Sequence, residues 1–191
     1  MNTQTATTQS APVEAKASAV SISIFANPYD IEAGGFYFSS VMEFQQKAKG
    51  RTNNYGQPVE EYGFDFIDGS PLECALAKAL GSDLGNLAKF FEVVETWTDD
   101  QIIKACIMFG EGIIGSGEWH DYEASDGDDL ELYEDMSFTE LAEHFVDEGL
   151  FGDIPEHLAG YIDYQAIGRD LSYDGFCKIE VGSYSFIYRS A

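Results

Sequence analysis

The sequence predicts an α+β fold built from three small units. Apolar residues alternate with period two near both ends of the chain, which is the pattern of half-buried strands. In the middle they recur every three or four residues, which is the pattern of helices that bury one face. Capping and turn signals separate these blocks, and we expect units over residues 20–69, 70–116 and 117–191.

Residues 1–19 are interpreted as a disordered tail. They are rich in Thr, Gln, Ser and Ala and have neither the cationic start nor the apolar stretch of a signal peptide. No apolar run in the chain reaches the roughly 18 residues that a membrane span needs. Cys74, Cys106 and Cys177 are odd in number and far apart, which suggests neither a disulfide framework nor a zinc ribbon. We therefore expect a cytoplasmic protein with reduced, buried thiols.

The first unit is predicted to contain three strands and one helix. VSISIFA, residues 20–26, alternates as a strand, and GGFYF and EYGFDFID suggest two more. Before the third strand, Ser40 and Glu43 form a capping-box pattern, in which each side chain can accept a hydrogen bond from the backbone N–H of the other residue. This pattern predicts a helix over residues 41–49.

The second unit is predicted to be helical. Ser70 with Glu73, and Thr98 with Gln101, form capping boxes that begin its first and last helices. A helix between them is expected over residues 83–96. The residues that this middle helix should bury are Leu84, Leu87, Ala88 and Phe91.

The third unit begins with an acidic stretch and continues into a helix that Ser137 and Glu140 cap. The apolar residues of that helix form one stripe, made of Phe138, Leu141, Ala142 and Phe145. Burying the stripe turns the carboxylates of the helix toward solvent. Another short turn and a helix are expected in DIPEHLAGYIDYQAIGRDL, and FCKIEV and YSFIY then form a closing hairpin around Gly182-Ser183.

Charge is distributed very unevenly along the chain. The net charge is −24, and residues 105–168 contain seventeen Asp and Glu but no Lys or Arg. We call this segment the acidic window. Such a surface repels nucleic acid, anionic lipid and phosphorylated substrates, and it attracts cations, basic peptides or sites built to hold an anion. Surfaces kept only for solubility usually mix both signs, so the window favours a binding role over a merely solvated face.

No recognisable catalytic or metal-binding motif accompanies this charge. The three histidines lie far apart and none sits in HExxH. DGDD invites a calcium loop, but placing Gly127 at position 6 puts Tyr122 at position 1 and Tyr133 at position 12, where oxygen ligands are required. The glycines of GEGIIGSG do not have the order of a phosphate-binding loop. We therefore predict no catalytic residue, no metal and no cofactor.

The charge density of the window resembles that of duplex DNA. DNA carries one negative charge per about 1.7 Å of axis, so seventeen charges spread along one ridge would match roughly 29 Å, or about eight to nine base pairs. The sequence therefore predicts a partner with a DNA-binding cleft. The carboxylates predicted to form the DNA-mimicking surface are Glu111, Glu118, Asp121, Glu123, Asp126, Asp128, Asp129, Glu131, Glu134, Asp135, Glu140, Glu143, Asp147, Glu148, Asp153 and Glu156.

Residues 138–175 carry a family resemblance. LAEHFVDE, then IPEHLAGYIDYQAIGRDL and a closing hairpin, resemble the C-terminal region of the ArdA antirestriction proteins. The most specific part is IDY-x-A-x-x-RDL, Ile162 to Leu171. SISIFANPYDIEAGGFYFSS and EYGFDFIDGSPL are similar to upstream parts of the family, whereas the Thr/Gln-rich tail departs from its pattern.

The resemblance implies a function. ArdA proteins mimic B-form DNA, generally as elongated dimers of three small domains, and occupy the DNA-binding groove of type I restriction–modification enzymes to protect incoming plasmids or phage. By this resemblance the chain is a competitive inhibitor and not an enzyme, a homodimer in the bacterial cytoplasm, and does not itself bind nucleic acid or membrane. Two alternatives stay open: an acidic chaperone or inhibitor of another basic DNA-binding protein, and a hydrolase or metal enzyme.

Overall fold

The computed structural model describes residues 22–81 and 86–190, and it confirms the α+β class. Within these residues, two three-stranded antiparallel sheets flank a helical middle. The strands are β1 (Ser23–Pro28), β2 (Phe36–Phe38), β3 (Tyr62–Asp68), β4 (Leu130–Glu134), β5 (Cys177–Val181) and β6 (Tyr184–Ser190). The helices are α1 (Val41–Ala48), α2 (Pro71–Leu80), α3 (Leu87–Thr96), α4 (Asp99–Gly110), α5 (Phe138–Asp147), α6 (Glu156–Ala159) and α7 (Tyr164–Tyr173).

The first sheet has the three strands that the alternating pattern predicts, in the order β2-β1-β3. Ile24 pairs with Phe38 on one side and with Phe66 on the other, so the apolar positions of all three strands share one face. That face is buried against α1 and the helical middle. Val20, which was predicted to belong to the first strand, lies outside the described residues.

The capping boxes locate the helices correctly. Ser70 Oγ accepts a hydrogen bond from the backbone of Glu73, and the Glu73 carboxylate accepts one from Ser70 N at 2.7 Å. Thr98 and Gln101 make the same reciprocal pair at the start of α4. These pairs satisfy backbone donors that the first turn of a helix would otherwise leave free.

The start and the buried face of α3 differ from the prediction. The Asn86 side chain accepts hydrogen bonds from the backbone N–H groups of Ala88 and Lys89, so the helix begins at Leu87. Leu84 lies outside the described residues, and the prediction that Ala88 is buried is wrong. Phe91 is buried as predicted, and the rest of the buried face is formed by Phe90, Val93 and Val94, because the larger apolar side chains take the core face and leave Ala88 in solvent.

The acidic window contains a strand that the sequence analysis missed. β4 pairs antiparallel with β6, from Leu130 opposite Ser190 to Glu134 opposite Phe186, which gives a second sheet of order β4-β6-β5. The predicted hairpin is confirmed, and Gly182 supplies the positive φ of its turn, 62°.

Two hydrophobic cores hold the described chain together. The larger core takes residues from the first sheet, from α2, α3 and α4, and from the inner face of the second sheet. The smaller core lies between α5, α7 and the second sheet, and its buried members are Leu141, Ala142, Phe145, Leu171, Phe176 and Ile187. The boundaries of the three predicted units stay a prediction.

The prediction that the thiols are buried is confirmed for Cys106 and is wrong for Cys74 and Cys177. Cys106 is buried on the core face of α4, where loss of solvation raises the pKa of its thiol to about 12. Cys74 and Cys177 are exposed. All three thiols are free.

No helix within residues 22–81 and 86–190 is both long and apolar enough to cross a bilayer.

Close packing of α7 on α5 depends on a glycine in the most specific motif of the chain. A Cβ at Gly168 would lie 2.5 Å from the carbonyl oxygen of Phe138 and 3.0 Å from Thr139 N, both backbone atoms that cannot swing aside. We expect Gly168→Ala to lower the free energy of unfolding by about 1–3 kcal/mol, the usual cost of overpacking. Urea denaturation followed by circular dichroism measures this change.

Gly160→Ala is the matched control, because a Cβ there meets nothing within 4 Å and its φ is −71°. Equal urea midpoints for the two variants would contradict the account of α5–α7 packing.

Candidate functional site

The acidic window contains a loop that two buried aromatic side chains attach to the helices. We call residues 118–129 the acidic loop. Trp119 is fully buried and Tyr122 is 3% exposed. Their rings lie 5.4 Å and 5.0 Å from the ring of Phe109 on α4, and both also contact Trp97 at the end of α3. Burial of these rings fixes the path of the loop, while the acids around them stay in solvent.

Two lysines lie beneath the acidic loop. Lys89, on α3, donates hydrogen bonds to the backbone carbonyls of His120 and Tyr122, the former at 3.1 Å. Lys104, on α4, is 3.1 Å from Asp100 and 4.0 Å from Asp128. Their side chains are only 12% and 16% exposed, so the loop covers both cations.

The loop approaches α4 most closely at Gly127. A Cβ there would lie 2.9 Å from Lys104 Cβ and 3.0 Å from the Tyr122 hydroxyl. Any larger residue would push the loop away from the helix, so glycine permits this contact.

The end of β4 leads the chain into α5 through a tight turn. Asp135 has a φ of 52°, a left-handed conformation that Asp tolerates better than most residues. Its backbone N–H donates to the carbonyl of Ser185 at 2.8 Å, which ties the turn to β6. Earlier in the strand, Glu131 forms an ion pair with Arg189 across the sheet at 2.9 Å.

The acids of α5 are arranged by the burial of its other face. Leu141, Ala142 and Phe145 are buried in the smaller core, as predicted. Glu140 closes the capping box, since its carboxylate accepts a hydrogen bond from Ser137 N at 2.8 Å while Ser137 Oγ accepts one from Glu140 N. The hydrogen bonds from Ser137 lower the pKa of Glu140. This carboxylate therefore belongs both to the exposed charge and to the structure of the helix.

Every carboxylate of the acidic window is exposed, which includes all sixteen predicted surface acids and Asp163, the N-cap of α7. The structure divides the sixteen by their contacts within the described residues. Those that also accept a hydrogen bond or join an ion pair are Glu111, Asp121, Glu123, Asp126, Asp128, Glu131 and Glu140. Those whose side chains do neither are Glu118, Asp129, Glu134, Asp135, Glu143, Asp147, Glu148, Asp153 and Glu156. Their joint role as a binding surface stays a prediction.

Three residues of this region were not predicted from the sequence. Lys89 and Lys104 are the last two lysines before the acidic window, which is the one signal that could have drawn attention to them. Asp100 lies outside the window but shares Lys104 with Asp128. Within the described residues, no group of three or more His, Cys, Asp or Glu side chains is placed to hold a metal ion.

Fold and charge together define the class: a small α+β protein that presents hydrated carboxylates on a fixed scaffold. The family model that matches is ArdA, described as an antirestriction protein, and it covers residues 43–185. Since that range is most of the chain, the protein belongs to the ArdA antirestriction family, and the resemblance is confirmed. A search of curated proteins gave no match to the chain.

The matched range explains the specific motif in structural terms. Within Ile162–Leu171, Asp163 accepts a hydrogen bond from Ala166 N and caps α7, Gly168 contacts α5, and Leu171 enters the smaller core. The residues of this motif therefore determine how α7 packs against α5, the helix whose exposed face carries acids. The match begins in α1, so the similarity of residues 21–40 to the family stays a prediction.

The capping role of Glu140 predicts a pH dependence. Because its pKa is lower in the folded protein than its ordinary value of about 4.3, its carboxylate stabilises the fold above that value. This contribution is lost as the pH falls through the folded pKa. Glu140→Gln keeps an acceptor for the Ser137 N–H but does not ionise, so wild type should have the higher melting temperature at pH 7.

The difference between the two proteins should shrink at pH 3. Thermal unfolding at both pH values measures it, and a difference that does not change with pH would contradict the assignment.

Proposed function

We propose that this chain inhibits type I restriction–modification enzymes by mimicking B-form DNA and occupying their DNA-binding groove. The observation that carries the proposal is the exposure of all seventeen carboxylates of a segment without Lys or Arg. Membership of the ArdA antirestriction family supports the same target class.

The arrangement of cations strengthens the electrostatic argument. Lys89 and Lys104 are covered by the acidic loop, whereas the carboxylates of Glu123 and Asp128 are 74% and 73% exposed. A partner therefore meets the negative groups first. Lysines and arginines that neutralise DNA phosphates could contact these carboxylates instead, which would exclude DNA by competition.

The proposed mechanism is stoichiometric and needs no chemistry from the chain. Each exposed carboxylate contributes part of a field that is screened over about 8 Å at physiological salt. No single group is then essential, and inhibition depends on many charges at once. Incoming plasmid or phage DNA would be protected while the enzyme is occupied, without a cofactor and without direct contact between this chain and nucleic acid or membrane.

We further propose that the protein is a homodimer in the bacterial cytoplasm, which would lengthen the charged surface. Large apolar side chains are exposed between α5 and α7, with Tyr161 at 85% and Leu150 at 63%. Phe151 and Leu158 are also exposed there. Exposed apolar residues clustered in one segment are typical of interfaces.

Sedimentation velocity at micromolar concentration should give the mass of a dimer. Phe151→Ser together with Tyr161→Ser should produce a monomer. Tyr55→Ser, at a residue 75% exposed in another part of the chain, should not. A monomeric wild type would refute this part of the proposal.

The main test is a neutralisation series in a competition assay with a type I enzyme, its cognate DNA and increasing inhibitor. One substitution among the acids without side-chain contacts should change inhibition about twofold, because an exposed charge contributes about 0.2–1 kcal/mol. Six together should weaken it about a hundredfold. The six are Asp129→Asn, Glu134→Gln, Glu143→Gln, Asp147→Asn, Glu148→Gln and Asp153→Asn.

A control variant changes the net charge equally outside the window. It neutralises six exposed acids, Glu60, Glu61, Asp65, Glu92, Glu95 and Asp174, and should lose much less inhibition. Complete loss from one substitution in a folded protein would point to a specific site and against distributed charge. Wild type that retards duplex DNA at physiological salt would refute mimicry. Equal inhibition of unrelated basic proteins would favour a general acidic chaperone.

A further inference from the structure

We propose that Lys89 is a positioning residue that holds the acidic loop in its inhibitory conformation, so that removing this positive charge weakens inhibition. The inference rests on the proposed function. Net charge alone predicts the opposite effect, because loss of a lysine makes the protein more negative and should strengthen its binding to a cationic groove.

The contacts of Lys89 are made to the loop backbone. Its ammonium group donates to the carbonyls of His120 and Tyr122 and lies 5.5 Å from the centre of the Trp119 ring, a cation–π distance. Glu123 is more distant, at 4.0 Å. The lysine therefore binds the loop independently of its acidic side chains, and it contacts both aromatic residues that attach the loop to α3 and α4.

Attachment of the loop to the helices buries polar atoms of those aromatic residues at a cost in free energy, which the hydrogen bonds from Lys89 offset. Trp119 Nε1–H and the Tyr122 hydroxyl are buried without a hydrogen-bond partner among the described residues. Burying an unpaired polar group costs free energy that exposure to water would recover. Hydrogen bonds from a charged donor are stronger than neutral ones and offset this cost.

A detached loop would present its charge in many arrangements. Glu118, Asp121, Glu123, Asp126, Asp128 and Asp129 all lie on the acidic loop. Ordering these groups during binding would cost conformational entropy, which a loop already held in place does not lose. The negative charge would be greater, but fewer carboxylates would lie where the partner's cations are.

The experiment compares Lys89→Met with Lys78→Met. Both remove one positive charge, and Lys78 is exposed on α2, away from the loop. Lys89→Met should raise the inhibitor concentration needed for half-inhibition about tenfold, the effect of one lost charge-assisted hydrogen bond. Lys78→Met should inhibit as well as wild type or better. Lys89→Arg, which keeps a cationic donor, should recover most of the loss.

Tryptophan fluorescence reports the loop independently of any target. The chain has two tryptophans, so a Trp97→Phe background leaves Trp119 as the sole indole. In that background Lys89→Met should shift the emission to the red and increase quenching by acrylamide, whereas Lys78→Met should do neither. Far-ultraviolet circular dichroism confirms that both variants keep their helices.

Each outcome has a definite meaning. Unchanged Trp119 emission in a folded Lys89→Met variant would overturn the attachment, and exposed Trp119 with undiminished inhibition would overturn its functional role. If the wild-type protein does not inhibit the enzyme, both the proposed function and the proposed effect of Lys89 on inhibition are wrong. The fluorescence measurement still decides whether Lys89 holds the loop in place.

Discussion

The arrangement of the acidic surface depends on the burial of two aromatic rings in the most acidic part of the chain. Trp119 and Tyr122 must leave water, whereas the carboxylates around them must stay in it. The loop meets both demands by placing the rings against α3 and α4 and turning the acids outward. Lys89 and Lys104 then satisfy backbone and side-chain oxygens from beneath, without reaching the outer surface.

Many carboxylates of this surface also support the structure on which they lie. Glu140 and Asp163 cap helices, Asp126 accepts a hydrogen bond from Glu123 N, and Glu131 holds Arg189. Changes at these residues alter folding and charge together. The acids without such contacts are therefore the better probes of charge alone, and a loss of inhibition at a capping residue does not by itself identify a binding group.

The two main groups of acids in the acidic window, those of the acidic loop and those of α5, lie on elements that pack on different hydrophobic cores. The acidic loop lies over the larger core through Trp119 and Tyr122, whereas α5 lies over the smaller one through Leu141 and Phe145. β4 joins the two, because Leu130 enters the larger core and Tyr133 packs against the smaller. Because β4 is hydrogen-bonded to β6, the position of this strand fixes where the acids of the loop and the acids of α5 lie relative to each other.

The sequence by itself determined the features that depend on neighbours along the chain. Capping boxes located α2, α4 and α5, and the N-cap Ser40 located α1, because capping partners lie within one turn. The Ser40–Glu43 pair is not reciprocal, since the Glu43 carboxylate accepts from Ser39 N. The apolar stripe of α5 predicted which of its acids are exposed. Exposure of the carboxylates of the acidic window also followed, since unpaired carboxylates are too costly to bury. Features that depend on contacts between residues far apart in the sequence were decided only by the tertiary structure. β4 was missed because its ladder is formed with β6, more than fifty residues away. The larger apolar side chains of α3 took the core face and left Ala88 in solvent. No sequence pattern distinguishes Lys89, and it contacts the acidic loop only because the loop returns across α3 and covers it.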